Sequence, residues 1–256
     1  MNSAYYDMIF KRKSFHNFDK AGDEKLTAEE LKDIERAWES FESLYPDMRT
    51  AIRIVPTENI KPYKNGEYCV LLYSEKKDNY LLNAGYMGQQ LDYYLVSKNI
   101  GSLWYGFGKA DMPEYDGLTF TIMFAIRKVS DETLYRKDMF AAKRKPLDEI
   151  WNGPELDIAN IARFAPSACN SQPWYVDNTG DALTVYRKRN AGIVGLVSQT
   201  ALIYFNRIDI GIYLCTLEIC MAKQGLPYDR KLFVDDGGKA EKIKVAEYTI
   251  ANSAYK

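Results

Sequence analysis

The chain has 256 residues, a formal net charge of −1, and 46% hydrophobic, 27% charged and 14% aromatic residues. This composition is typical of a folded protein with a core large enough to enclose a cofactor pocket. The near-neutral charge argues against binding to nucleic acid, which requires a broad basic face. The single histidine, His16, excludes multi-histidine metal sites and argues against a Ser-His-Asp hydrolase.

Neither a targeting segment nor a membrane segment is expected. The N-terminal residues lack an apolar stretch behind a positive start, so no signal peptide is predicted. The most apolar region, 193–222, is interrupted by Asn206, Arg207, Asp209 and Glu218, which a membrane span could not accommodate cheaply. The four cysteines lack C-x-x-C spacing and are predicted to be reduced thiols. We therefore expect a soluble, cytoplasmic protein without a metal site.

The apolar periodicity predicts similar elements in each half of the chain. The first half is predicted to contain a helix over 27–44, strands around 51–54 and 68–73, a helix over 83–98 and a strand over 119–126. The second half is predicted to contain a helix over 154–164, strands around 175 and over 183–186, and a helix over 208–223. The strand over 119–126 is apolar on both faces and is expected to be central. The absence of a regular βαβ alternation favours an α+β fold.

An internal repeat relates the two halves. Residues 89–95 align with 215–221 at an offset of 126, and Asn83-Ala84-Gly85 aligns with Asp209-Ile210-Gly211 at the same offset. We interpret the match as two copies of one structural unit. The alternative is that any two amphipathic helices look alike.

The most distinctive segment is 165–174, which reads Ala-Pro-Ser-Ala-Cys-Asn-Ser-Gln-Pro-Trp. Pro166 and Pro173 restrict the backbone, while Ser167, Asn170 and Gln172 offer short hydrogen-bonding groups. Such a loop could hold a flat, polar-edged heterocycle against an apolar floor. It could equally end a helix in a tight turn, and the residue types alone leave both interpretations open.

This segment resembles A-P-S-x-x-N-x-Q-P-W, the flavin-contacting signature of the FMN-dependent nitroreductase and flavin reductase family. In that family the loop packs against FMN across a dimer interface. The resemblance implies FMN contacts for Pro166, Ser167 and Asn170.

Two basic segments resemble the phosphate-binding motifs of the same family. Residues 12–18 are similar to R-R-S-x-R-x-F, which implies phosphate contacts for Arg12, Lys13 and Ser14. A guanidinium and a hydroxyl suit a phosphate dianion. Residues 144–149 are similar to R-k-P-x-E-E, which implies a phosphate contact for Arg144.

A fourth segment, 101–106, resembles G-T-C-W-I-G, whose trailing backbone lies near the flavin N5. This resemblance implies that Gly106, with its backbone near N5, and Phe107 contact the cofactor. His16 stands where the family prefers an arginine or lysine at the flavin edge. Because histidine changes charge near neutral pH, we hypothesise a pH-sensitive flavin potential; the alternative is a surface histidine that makes one hydrogen bond.

Two further positions leave questions open. Lys61 or Lys64 could supply the cation that the family places at the flavin edge. Arg127 stands where the family has glycine, and the sequence offers no function for it.

The family motifs are divided between the two halves. The first half keeps the phosphate motifs and the N5 turn but has 39–46 in place of the proline-rich loop. The second half keeps the loop but has Pro227 where the first has Gly101. The halves, 1–146 and 147–256, are therefore expected to form two pseudo-symmetric repeats that mimic a homodimer. They would leave one complete FMN site, as in the single-chain branch of this family, and could make further association unnecessary.

The resemblance implies an FMN-dependent NAD(P)H oxidoreductase of the nitroreductase type. Hydride would pass from NAD(P)H to FMN N5 and then, in a ping-pong reaction, to a flat acceptor such as a nitroaromatic, a quinone or free flavin. No catalytic side chain is required. The alternatives are a non-catalytic flavin- or ligand-binding protein derived from a nitroreductase, and a specialised chemistry such as reductive dehalogenation or flavin fragmentation.

Overall fold

Two five-stranded sheets surround a central pair of long helices in the computed structural model, which describes residues 3–62, 65–189 and 198–250. Each long helix packs against the strands of its own half, and the two helices pack against each other. The architecture is the α+β arrangement expected from the sequence.

The first half contains α1 (Tyr6–Lys11), α2 (Ala28–Ser40), β1 (Thr50–Pro56), β2 (Tyr68–Ser74), α3 (Tyr80–Ser97), β3 (Ile100–Trp104), β4 (Glu114–Tyr115) and β5 (Leu118–Lys128). Its antiparallel strands lie in the order β1-β2-β5-β3, and β4 pairs with β5. The prediction of a central strand over 119–126 is confirmed, because β5 lies between β2 and β3.

The second half contains β6 (Trp151–Asn152), α4 (Asp157–Ala162), β7 (Trp174–Asn178), β8 (Ala182–Lys188), α5 (Gln199–Lys223), β9 (Tyr228–Leu232) and β10 (Lys242–Ile250). The strand order is β6-β7-β8-β10-β9, and only the short β6 pairs in parallel.

The two halves share one topology. Each has a helix, a strand hairpin, a long helix and then further strands, and the short β6 of the second half is an addition that precedes its helix. When β1, β2, β5 and β3 are matched to β7, β8, β10 and β9, the strand orders are identical. This agreement is what the sequence repeat predicts. Descent of both halves from one ancestral unit, and a boundary at residue 146, stay predictions.

Several element boundaries differ from those predicted. Helix α2 begins after Thr27, which forms a capping box with Glu30. Helix α5 begins at Gln199, nine residues before the predicted start, because the Ser198 side chain accepts a hydrogen bond from the Ala201 backbone. Helix α4 is shorter than predicted, since the Pro154 carbonyl accepts side-chain hydrogen bonds instead. Helix α1 and strands β3, β4, β6, β9 and β10 were not predicted.

The crossing of α3 and α5 is reciprocal. A Cβ atom added at Gly85 would overlap the carbonyl oxygen of Ile208, and one added at Gly211 would overlap that of Leu82. Both glycines and both carbonyl residues are 126 positions apart in the sequence. Each helix therefore presents the same site to the other, as the two subunits of a two-fold dimer do.

A buried carboxylate ties each long helix to the strand that follows it. In each half the donors are the residues ten and twelve positions later in the chain: Ser102 and Trp104 donate to Asp92, and Tyr228 and Arg230 donate to Glu218. Both carboxylates are 0% exposed. The pseudo-symmetry thus extends from the backbone to the polar contacts of the core.

Two other sequence expectations concern the chain as a whole. No helix in the described ranges combines the length and apolar character needed to cross a membrane. Cys69, Cys169, Cys215 and Cys220 are all unpaired, which confirms the prediction of free thiols.

We predict that Gly85→Ala and Gly211→Ala each destabilise the protein by about 3 kcal/mol, because the added methyl group would force the helix backbones apart. The two losses should be similar, and the double variant should lose less than their sum, since both act at one crossing. Urea unfolding measures these losses.

Ser97→Ala, at the exposed end of α3, is the control and should change the free energy of unfolding by less than about 0.5 kcal/mol. A loss at only one of the two glycines would contradict the reciprocal crossing.

Candidate functional site

A cavity of about 660 Å³ opens between the two halves. The residues predicted to contact a cofactor, Arg12, Lys13, Ser14, His16, Gly106, Phe107, Arg144, Pro166, Ser167 and Asn170, all line it. They come from four separate segments, which the fold brings to one place. Their roles toward a cofactor stay predictions.

The segment after α1 carries the first cations to the cavity. Its backbone lies beside β3, where Ser14 bridges to Ser102 and the Phe15 amide donates to the Ser102 carbonyl at 3.0 Å. Arg12 is 3% exposed, and its Nε donates to Asp92 at 2.5 Å. A second Arg12 nitrogen donates to Ser14 Oγ at 3.1 Å. The buried carboxylate therefore fixes a guanidinium and a hydroxyl side by side at the cavity wall.

Lys13 has contacts separate from those of Arg12. Its ammonium donates to the Leu134 carbonyl and lies 4.9 Å from the centre of the Phe15 ring. Lys13 lines the cavity, but these contacts hold its charge toward the cavity edge.

The connector between the halves supplies the remaining cations. Arg144 donates to Asn170 Oδ1 at 2.9 Å and to the Phe164 carbonyl at 3.0 Å, so two residues predicted from separate motifs are in direct contact. Arg136 and Lys143 also line the cavity. They were not predicted as site residues, although the basic composition of 136–146 was a usable signal.

Within the described residues, the cations at this end of the cavity lack a matching set of anions. Burial, together with the charges of Arg12 and Arg136, lowers the pKa of Arg144 to about 10. Burial and Arg12 also lower the pKa of Arg136. The buried Nε of Arg144 has no hydrogen-bond partner within the described part of the chain. A bound dianion would relieve this repulsion and satisfy that nitrogen.

The loop 165–173 forms the wall next to Arg144 and has a strained backbone. Cys169, Asn170 and Gln172 have φ values of 51°, 54° and 46°, in the left-handed region that non-glycine residues rarely adopt. The Gln172 amide donates to Ser167 Oγ at 2.9 Å, and Gln172 Oε1 accepts from the Lys145 amide at 2.8 Å. Strain held in place by surrounding contacts is common where a loop must present polar groups to a ligand.

One face of α5 completes the cavity. Its members recur at helical spacing and are Leu202, Phe205, Ile208, Asp209 and Ile212. A Cβ atom added at Gly106 would lie 2.7 Å from the Phe205 ring, so only glycine allows this close approach. Phe107 is 63% exposed, with its ring centre 6.2 Å from that of Phe205. This wall was not predicted, because helical periodicity alone does not distinguish a core face from a cavity face.

Asp209 is the acidic member of that wall. Its Oδ1 accepts from the Ala168 amide at 2.9 Å, and its Oδ2 lies 3.4 Å from Ser171 Oγ. Burial raises its pKa to about 8. The side chain therefore connects α5 to the strained loop from inside the protein.

The questions left open by the sequence are partly answered. His16 is exposed at the cavity, and its effect on a flavin potential stays a prediction. Lys61 pairs through its backbone with Lys109 and does not line the cavity, while Lys64 lies outside the described residues. Arg127 donates to the carbonyls of Gly22 and Asn65, so it ties two turns to β5.

The corresponding place in the pseudo-symmetric arrangement is closed. Phe233 corresponds to Phe107 and Asn79 to Phe205 at the offset of 126. Asn79 Nδ2 donates to the Phe233 carbonyl at 2.9 Å, and Asn79 Oδ1 accepts from the Asp235 amide at 2.9 Å. The segment that follows β9 thus packs directly onto the start of α3. The equivalent segment of the first half, which follows β3, instead lines the cavity.

The cavity suits a planar ligand that carries a phosphate. Its volume is within the range of small-molecule and cofactor sites, about 300–1,000 Å³. One end is cationic, while the middle has aromatic and aliphatic walls and a loop with polar groups. FMN has a dianionic phosphate and a flat ring with a polar edge, so the residues present fit it.

We predict that Asp92→Asn destabilises the protein by about 3–5 kcal/mol, because it leaves the buried Arg12 guanidinium without its counter-ion. Inorganic phosphate should restore part of this stability by supplying an anion to the same guanidinium. Thermal or urea unfolding with and without phosphate measures both effects.

The control is Asp111→Asn, which removes the partly exposed ion pair with Arg53 and should cost less than about 1 kcal/mol. Equal stabilisation of both variants by phosphate would show that Arg12 does not face the anion site.

Comparisons with known proteins agree with the fold. Residues 4–221 match the family described as "Putative TM nitroreductase". A structure described as a putative nitroreductase from Thermotoga maritima is 17% identical, with a TM-score of 0.61 over 98% of this chain and 93% of that one. A putative nitroreductase from Desulfovibrio desulfuricans in complex with FMN is 14% identical, with a TM-score of 0.45 over 61% of this chain and 100% of that one. No curated protein matches the chain significantly. The match over most of its length shows that the chain belongs to the nitroreductase family described by that model.

Proposed function

We propose that this protein is an FMN-dependent NAD(P)H oxidoreductase with one FMN site per chain. The observation that carries the proposal is the cluster of poorly compensated cations in a cavity that is also lined by the strained polar loop. Membership of the nitroreductase family supports the same assignment.

The phosphate of FMN would be held by Arg12 and Ser14 from the first segment and by Arg136 and Arg144 from the connector. These side chains offer forked guanidinium donors and a hydroxyl, which suit a phosphate dianion. Because Asp92 already orients Arg12, little further ordering of that side chain is needed on binding.

The flavin ring would lie between the turn at Gly106 and the loop that contains Pro166, Ser167 and Asn170. When bound, FMN supplies the redox chemistry, in which two electrons pass from NAD(P)H to the cofactor and then to an acceptor. The protein holds and orients the ring and provides its electrostatic surroundings. A reaction of this kind requires no catalytic acid or base from the chain.

The acceptor would enter beside Phe107 and Phe205. Their rings form an edge-to-face pair at the cavity, and Phe107 is largely exposed. Aromatic surfaces of this kind favour flat conjugated compounds over flexible aliphatic ones. Nitroaromatics, quinones and free flavins therefore fit best as acceptors.

One chain would be sufficient for the site, because the cavity is lined by both halves of the same chain. The closed counterpart at Asn79 and Phe233 supports a single FMN per chain. A functional monomer follows as part of the proposal.

The proposed function predicts how many FMN molecules bind each chain and whether a nicotinamide nucleotide reduces them. Purified protein saturated with FMN should bind one FMN per chain, and anaerobic NADPH or NADH should bleach the flavin absorbance within seconds. Equilibrium dialysis and visible spectroscopy measure the two quantities.

Two FMN molecules per chain would contradict the complementary halves. Tight binding without bleaching by either nucleotide would favour a non-catalytic flavin-binding protein, and a lack of binding would defeat the proposal.

The proposed function also predicts that the cationic end of the cavity binds the FMN phosphate. Arg136→Gln and Arg144→Gln should each weaken FMN binding about tenfold, equivalent to about 1.4 kcal/mol, because each removes a charge-assisted contact with the phosphate. The binding of riboflavin, which lacks the phosphate, should change by less than about twofold for Arg136→Gln. Fluorescence titrations with both flavins measure the difference.

Lys32→Gln, on the exposed face of α2, removes the same formal charge away from the cavity and is the control. Equal weakening of FMN and riboflavin binding by Arg136→Gln would place the phosphate elsewhere.

A further inference from the structure

Asp209 has a setting that the proposed binding roles do not explain. Among the described residues that line the cavity, it is the one with a carboxyl group. Its side chain is 3% exposed, and no Lys, Arg or His of the described ranges forms an ion pair with it. A carboxylate buried without a cation is costly, because the low-dielectric interior does not replace its lost hydration.

Burial favours the protonated form of Asp209, and it outweighs the hydrogen bonds from the Ala168 amide and Ser171, which favour the ionised form. Ser171 Oγ lies 3.0 Å from Asn206 Oδ1 and 3.4 Å from Asp209 Oδ2. One hydroxyl proton cannot serve both acceptors. A proton on Asp209 Oδ2 is one arrangement that removes the conflict, since the acid can donate to Ser171 while Ser171 donates to Asn206.

The other half provides a natural comparison. Asn83 occupies the position equivalent to Asp209, and its Oδ1 accepts from the Leu44 amide at 2.9 Å and from Ser43 Oγ at 3.0 Å. Asn83 thus holds the loop of its own half with a side chain of the same shape that cannot ionise. An ionisable residue occurs at this position only in the half whose loop lines the cavity.

Other charged groups share the cavity with Asp209. The cations and the histidine are Arg12, Lys13, His16, Arg136, Lys143 and Arg144. The Cys169 thiol and the Tyr105 ring also line it. Helix α3, which packs against α5, carries Tyr86 and the Asp92 that is paired with Arg12, and neither of these lines the cavity. The net field attracts an anionic ligand, and a negative charge on Asp209 would oppose it.

We propose that Asp209 is a positioning residue that holds the loop 165–173 while protonated and that, once ionised, weakens the binding of FMN, and of reduced FMN most. The inference rests on the proposed function. Since burial raises the pKa of Asp209 to about 8, ionisation occurs on going from neutral to mildly alkaline pH. Reduced FMN has one more negative charge than oxidised FMN and is therefore repelled more strongly.

The test compares wild type with Asp209→Asn, which installs the residue found at the equivalent position of the other half. The dissociation constant of FMN is measured at pH 6.5 and pH 9.5. The two proteins should bind FMN similarly at pH 6.5, and the ratio of the wild-type to the variant constant should rise about tenfold by pH 9.5. Effects of pH that are common to both proteins cancel in the ratio.

Two controls separate this role from a structural one. Asn83→Asp adds a carboxyl group to the other half and should leave the wild-type pH dependence of FMN binding unchanged. The midpoint potential of bound FMN should fall more steeply with pH in the wild type than in Asp209→Asn, whereas a structural role would not affect this difference.

Unfolding of the apoprotein gives a readout that does not depend on FMN. A raised pKa means that the folded state gains a proton that the unfolded state lacks, so stability should fall as the pH rises from about 4 to about 8. Asp209→Asn should lack this fall, and its melting temperature relative to the wild type should increase with pH.

The outcomes are distinguishable. Identical pH dependence of FMN binding in wild type and Asp209→Asn would overturn the inference and leave the proposed function intact. An absence of FMN binding by the wild type at every pH would overturn both.

Discussion

The close crossing of α3 and α5 is the contact on which the rest of the structure depends. Gly85 and Gly211 bring the helix backbones together, and any side chain at either position would separate them. At this distance α5 reaches across to the turn of the first half, where Phe205 meets Gly106. The Asp92 carboxylate fixes α3 to the adjacent strand, so the first-half wall follows the same crossing. A wider crossing would move the α5 wall of the cavity away from that turn.

Residues at equivalent positions of the two halves make different contacts. Asp92 and Glu218 occupy the same position, yet only Asp92 binds an arginine that faces the cavity. Glu218 instead accepts hydrogen bonds from three tyrosines and Arg230, a closed group within the core. In one half the buried charge orients a cation at the cavity wall, and in the other it lies within a hydrogen-bonded group of the core.

The sequence was most informative for long periodic segments and for motifs with many specified positions. The order of the main helices and the central β5 followed from apolar periodicity, and the motif residues all reached one cavity. The early start of α5 was missed, because it depends on the single Ser198 cap. Strands β9 and β10 carry many lysines and other charged residues on their exposed faces, which hides their alternation.

Other features could not be predicted from the sequence, because they depend on contacts between residues that are far apart in the chain. The cavity wall on α5 has the same periodicity as a buried helix face, and only the tertiary arrangement exposes it. Arg136 could not be singled out from its basic neighbours without its place beside Arg144. The closure at Asn79 depends on hydrogen bonds to residues more than 150 positions away. Local patterns carry no information about such pairs.

The placement of both cavity walls on one polypeptide has a consequence for how the protein behaves at low abundance. In a homodimer, a site shared between subunits is lost when the subunits separate on dilution, so cofactor occupancy depends on protein concentration. Here the opposing walls are joined by the connector that contains Arg136 and Arg144. The effective concentration of one wall near the other is fixed by the chain itself. A ligand held between them would stay bound at protein concentrations at which a two-subunit site would come apart.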